Sequence, residues 1–199
     1  LYLMAAILGV VFSGGLFCVL DREWPDEQLR ETGRMTGMSL VLCNERFFPV
    51  NARKVVADDG FFEEDAPGEP GRIDYTDDVF VHAFIGFDGT LQTAVANGPG
   101  MRTLIDWEAG TSAIGEGSRV SVMTRSGARG ILRPFFTALS RGATLCVPPK
   151  SAGTTTGDLL DWVDREHIDV FYLDRDRLED ISPDAGTDEN QNRFKHLKW

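Results

Sequence analysis

Strand-like and helix-like stretches alternate along these 199 residues, and that alternation predicts an α/β fold with a largely parallel sheet layered with helices. An apolar content of 42% supplies enough side chains for a packed core. The length suits one domain or a slightly divided one. No internal repeat or low-complexity tract interrupts the pattern.

The elements follow in order. Leu3 to Phe12 reads as a buried helix that stops at Gly14-Gly15, and Phe17 to Leu20 as a buried strand. Pro25 opens the next helix, with Asp26 and Glu27 in its first turn, where carboxylates favour the helix dipole. That helix ends near Gly33 or Gly37, and Leu40 to Cys43 is a short buried strand. Further strands are expected at Val79–Ala83, Val120–Thr124, Thr144–Val147 and Val170–Leu173. Helices are expected between them at Met101–Trp107, Leu132–Leu139 and Leu159–Glu166. Thr155, three residues before Asp158, has the spacing of a capping box. Leu159, Leu160 and Val163 then fall on one helical face.

Residues 58–78 stand apart, with nine acids against the single base Arg72, two prolines and three glycines. They read as a linker or surface loop. No calcium-loop spacing appears among them. The segment divides the chain into a first lobe, 1–57, and a second, 79–199.

The formal net charge is -11 and the pI about 4.7. Nucleic acid and anionic membrane surfaces are therefore poor partners, since both ask for basic patches. The three cysteines, Cys18, Cys43 and Cys146, lie far apart, which suits buried thiols in a reducing cytoplasm. The histidines, His82, His167 and His196, are equally scattered, and no metal-ligand spacing can be built from these residues. The stretch Leu1 to Leu20 carries no charge, so a transmembrane span has to be weighed. Ser13-Gly14-Gly15 divides it, no basic cluster flanks it, and Asp21-Arg22-Glu23 follows at once. Burial in a soluble fold is the expectation. The start at Leu1, without methionine, suggests an origin in a longer polypeptide.

The glycine spacing of Phe84-Ile85-Gly86-Phe87-Asp88-Gly89-Thr90-Leu91-Gln92-Thr93, just after a strand, suggests a loop that once wrapped a triphosphate. Such a loop needs amides, hydroxyls and a cation. This one offers two phenylalanines, an isoleucine, an aspartate and a glutamine. Other motifs are missing. Gly153-Thr154-Thr155-Thr156-Gly157 lacks a Walker lysine, and no serine sits in a G-x-S-x-G elbow. His167 ends an amphipathic helix, where a dipole or packing role is the expectation.

A longer match covers most of the chain outside the acidic segment. Ala5 to Asp21 resembles the "AAILGVLKAGGAYVPLD" segment of nonribosomal peptide synthetase adenylation domains, and Trp24 to Arg30 their "YPAERLR". Gly142-Ala143-Thr144-Leu145 is similar to their "SGATLVL". These domains belong to the acyl- and aryl-CoA ligase, adenylate-forming superfamily. The resemblance implies part of the large subdomain of such an enzyme. Gly86 and Gly89 match the first two glycines of its T-S-G-[ST]-T-G-x-P-K-G loop. The hydroxyl positions fall on Phe84, Ile85, Phe87 and Asp88, the lysine on Gln92 and the last glycine on Thr93.

Asp88 would face phosphate oxygens, and a like-charge pair at 4 Å costs about 1 kcal/mol in water and about 4 kcal/mol at an effective dielectric of 20. The aspartate that holds a substrate amine in the family's F-D-x-S motif is matched by Arg129, within Ala128-Arg129-Gly130-Ile131. Arg129 would repel an ammonium, or grip a carboxylate of a different acid. These departures imply a degenerate, truncated adenylation domain without cofactor, a remnant loop at Gly86 and Gly89, and no catalytic residue. Its partners would be adjoining synthetase domains, condensation or carrier protein. The alternative is a segment of an active ligase with an unusual acid substrate, for which ATP and Mg2+ would be required.

Overall fold

The computed structural model describes residues 2–44, 48–57, 78–122, 127–149 and 155–172. Nearly all of the acidic segment therefore lies outside the described residues. The chain forms two compact units, Leu1–Met101 and Arg102–Trp199. Within the first unit, Phe17 and Phe80 form a parallel bridge and stack at 5.6 Å, which ties the strand that follows the acidic segment to the opening of the chain.

The first unit holds α1 (Tyr2–Phe12), α2 (Asp26–Thr36), β1 (Leu40–Cys43), β2 (Arg53–Val56), β3 (Asp78–Ile85) and β4 (Leu91–Asn97). β1 and β2 pair in parallel, from Leu40↔Arg53 to Cys43↔Val56. Pro25 caps α2, and Gly37, at φ +61°, closes it in the left-handed conformation. Leu29 from α2 packs with Val41, Phe48 and Val50 into a core. A Cβ on Gly33 would come within 2.5 Å of Val50 Cγ1, so a glycine is required where α2 meets that residue.

The expectation of a buried opening segment is corrected. Only Ile7 is buried along α1, while Tyr2, Leu3, Phe12 and Leu16 are exposed. This helix is apolar on every side, so packing one face leaves the others uncovered. The expected strand at Phe17–Leu20 is reduced to the single bridge at Phe17. Among the described residues no helix is long and apolar enough to cross a membrane.

The second unit carries most of α3 (Gly98–Thr111), then β5 (Arg119–Ser121), α4 (Gly127–Ser140), β6 (Thr144–Cys146) and α5 (Thr156–Arg165). β5 pairs in parallel with β6, and Val170 bridges Val120 on β5, also in parallel. Two core clusters cover these strands. One joins Cys146, Leu159, Trp162, Val163 and Ile168; the other joins Ala109, Ile114, Val120, Ala138 and Val170. The predicted cap is present: Thr155 Oγ1 accepts from the Asp158 amide at 3.1 Å and donates to Asp158 Oδ2 at 2.7 Å.

Four helices end alike. The residue in the left-handed turn is Gly14, Ala113, Gly142 and His167 after α1, α3, α4 and α5 respectively. At each end the following amide reaches back to a carbonyl one turn earlier, as in Ile168 N to Val163 O at 3.0 Å. This satisfies carbonyls that the helix would otherwise leave unpaired. His167 is thus a helix terminator at φ +49°, a conformation usually given to glycine.

Candidate functional site

The loop singled out by sequence is the turn of the β3–β4 hairpin. The strands pair antiparallel, with Phe84↔Gln92 and Ile85↔Leu91 nearest the turn. Gly86 N donates to Thr90 O at 2.8 Å, and Gly89 N donates to Gly86 O at 3.0 Å. With Gly89 at φ +76°, this is a three-residue hairpin loop with a left-handed glycine at its end. Gly89 supplies the positive φ. A Cβ on Gly86 would come within 2.5 Å of Gln92 Nε2 and 2.9 Å of Asp88 Oδ1. Both predicted glycines are brought together here; the positive φ requires Gly89, while a side chain at Gly86 would displace the Gln92 and Asp88 side-chain ends.

Asp88 faces inward on the turn. Its Oδ1 accepts from Thr90 N at 3.0 Å and Thr90 Oγ1 at 2.8 Å, with Gln92 Nε2 at 3.5 Å. The Thr90 amide, followed by its hydroxyl, holds the Asp88 carboxyl below the ordinary aspartate range. The Thr90 amide and hydroxyl are thus engaged by a carboxylate of the chain itself. Phe87, at the tip, is fully exposed. His82 and Phe84 stack at 5.3 Å beneath it. Cys18, bridged to this strand region through Ala83, has its thiol pushed up to about 11, chiefly by burial, so it is a poor nucleophile at neutral pH.

Arg129 lies in the first turn of α4, and its side chain is outside the described residues. Sequence reasoning missed a polar cluster in the second unit. Glu108, 1% exposed, accepts from Thr137 Oγ1 at 2.9 Å and pairs with Arg133 Nε at 2.5 Å. The Arg133 guanidinium lies 5.9 Å from the Trp107 ring and 5.6 Å from that of Tyr172. Burial, and then the Glu108 carboxylate, pushes the Tyr172 phenol far above its usual range. The signal in the sequence is the one-turn spacing of Arg133 and Thr137, which sets both on one face of α4. Glu108 and Arg133 thus pair their charges inside the second unit. Among the described residues no group of three or more His, Cys, Asp and Glu is placed to hold a metal ion.

This architecture is shared with solved structures. The chain superposes on the nonribosomal peptide synthetase FmoA3 with a TM-score of 0.78 at 20% identity, covering 98% of this chain and 21% of that one. It superposes on o-succinylbenzoate CoA synthetase from Bacillus subtilis with a TM-score of 0.77 at 13% identity, covering 92% and 49%. The fold is that of a subdomain of the adenylate-forming enzymes.

Sequence relatives agree. One of the linear gramicidin synthase proteins of Brevibacillus parabrevis is 25% identical over 173 residues, 83% of this chain and 2% of the relative. Peramine synthetase of Metarhizium majus is 28% identical over 160 residues, 74% of this chain and 6% of the relative. A nonribosomal peptide synthetase of Aspergillus sclerotiorum is 25% identical over 197 residues, 90% of this chain and 15% of the relative. The chain thus spans a small part of each of these multidomain proteins. No family model matches it.

Proposed function

We propose that this adenylation-like chain is a non-catalytic structural or docking platform within a nonribosomal peptide synthetase. The observation that carries the reading is Asp88, whose carboxylate occupies the amide and hydroxyl of its own turn. A triphosphate arriving there would meet a negative charge already satisfied, without the lysine that the family loop supplies. The neighbours it would serve are adjoining synthetase domains, condensation or carrier protein, in the cytoplasm. Exposed apolar side chains on α1 and at the hairpin tip give such neighbours something to cover.

The rival reading, part of an active ligase, draws on Arg129 at the position matched to the amine-binding aspartate. A guanidinium there would suit a substrate with a second carboxylate. Exchange of labelled pyrophosphate into ATP, measured over a panel of amino and dicarboxylic acids, separates the two. The platform reading predicts no acid-dependent exchange. Exchange that depends on any one acid overturns it.

A further inference from the structure

We propose that Asn97 is a site of spontaneous covalent modification, where the Gly98 amide closes a succinimide ring on the Asn97 side chain and water opens it to aspartate or isoaspartate. The proposal stands apart from the platform reading and does not rest on it.

The chemistry begins in the sequence. Asparagine is among the thermolabile residues, and a following glycine offers its main-chain nitrogen with no side chain to hinder the approach. Of Asn44, Asn51, Asn97, Asn190 and Asn192, only Asn97 precedes a glycine. The fold leaves that junction open. Asn97 is exposed at the end of β4, and Gly98 is the first residue of α3. An amide at the first helical position has no acceptor within its helix, and among the described residues no turn or loop bond takes up the Gly98 amide.

The other reacting group is aimed. Asn97 Oδ1 accepts from the Gly100 amide at 2.8 Å. Attack at Cγ moves negative charge onto that oxygen. The Gly100 N–H and the positive end of the α3 dipole thus face the atom on which charge develops.

The Asp88–Gly89 junction of the hairpin turn provides the contrast. There Gly89 N donates to Gly86 O at 3.0 Å, so the nitrogen that would attack is engaged. The Thr90 amide and hydroxyl hold the Asp88 carboxyl below its ordinary range, so it stays ionised and resists attack at neutral pH. One junction is open and the other closed, within a single hairpin.

The step balances with water alone. Hydroxide removes the Gly98 N–H proton, and the bond from Gly98 N to Asn97 Cγ forms. The Cγ–Nδ2 bond breaks, and Nδ2 leaves as ammonia with a proton from water, which restores hydroxide. Water then adds to either ring carbonyl. Opening at Cγ restores the main chain and leaves aspartate. Opening at the main-chain carbonyl carries the chain through Cγ and leaves isoaspartate. Either product adds a negative charge at the start of α3, where the dipole favours an anion, across the ladder from Asp78.

The test is peptide mapping by mass spectrometry, with isoaspartate counted by enzymatic methylation. The 199-residue chain is first kept at mildly alkaline pH, either folded or in urea. In the folded chain Asn97 should convert ahead of every other asparagine, and Asp88 should stay intact. Urea should raise isoaspartate at Asp88 relative to Asn97, because unfolding frees the Gly89 amide. Gly98→Ala should slow conversion of Asn97 in the folded chain several-fold. Conversion of Asn97 no faster than that of Asn44 or Asn51 would overturn the proposal. So would an unchanged rate in Gly98→Ala, isoaspartate at Asp88 keeping pace with Asn97 in the folded chain, or a ratio between the two junctions that urea leaves unaltered.

Discussion

The β3–β4 hairpin and the β5–β6 pair are held together in different ways. Around β5 and β6, Val120, Leu159, Val163 and Ile168 have no exposed surface, and helices seal the strands. In the hairpin, four successive residues of β4 are exposed and the tip projects Phe87 into solvent. The first region is held by packing, where a change of one side chain disturbs many neighbours. The second is held by ladder bonds, by Val81, Ala83 and the Phe17–Phe80 stack on its β3 side and, at the turn, by one carboxylate. The shape of the hairpin turn therefore says little about the chemistry of the side chains it carries.

Truncation should expose the contrast most strongly. Trp162 is 3% exposed within the Cys146, Leu159, Val163 and Ile168 cluster. Trp162→Ala should cost about 4 kcal/mol in urea unfolding. Phe87→Ser at the turn should change stability by no more than about 0.5 kcal/mol. Similar losses at the two positions would erase the distinction.

A smaller effect should appear at a helix end. His167 occupies a left-handed position at φ +49°. His167→Gly should stabilise the second unit by about 1 kcal/mol, because glycine adopts that conformation without a Cβ penalty. Destabilisation in thermal unfolding would mean that the imidazole contributes more than the strain it carries.

The smallest expected effect concerns the turn itself. The folded-state pKa of Asp88 is depressed, so its contribution is present above the ordinary aspartate pKa. It is lost as pH falls through the folded value. Asp88→Asn should therefore flatten the acid limb of local hairpin protection, read at the Thr90 amide, and leave the neutral-pH fold in place. An unchanged acid limb would show that another group anchors the turn.

Much of this was legible beforehand, for physical reasons that differ by element. The α2 helix carries Pro25 at its start, acids in its first turn and Gly37 at its end, and the structure follows those signals. The α5 cap at Thr155 and Asp158 reads as directly. Helix α3 starts at Gly98, earlier than Met101, because Asn97 Oδ1 accepts the Gly100 amide at 2.8 Å and offsets a glycine-rich opening. Strands β2 and β4 escaped notice. Arg53-Lys54 disguises the one, and the other lacks an alternating apolar face. In the candidate site, the turn at Gly86 and Gly89 was visible from its glycines. That Asp88 would bind its own turn was not, since this depends on a hydrogen bond between neighbours rather than on a motif. The Glu108–Arg133 pair was hidden for a similar reason: its partners lie far apart in sequence.

The central claim is that the hairpin turn, filled by Asp88, takes no nucleotide. Isothermal titration calorimetry of the chain with Mg-ATP tests it directly. The account predicts no binding heat at neutral pH. A dissociation constant in the low micromolar range would contradict it.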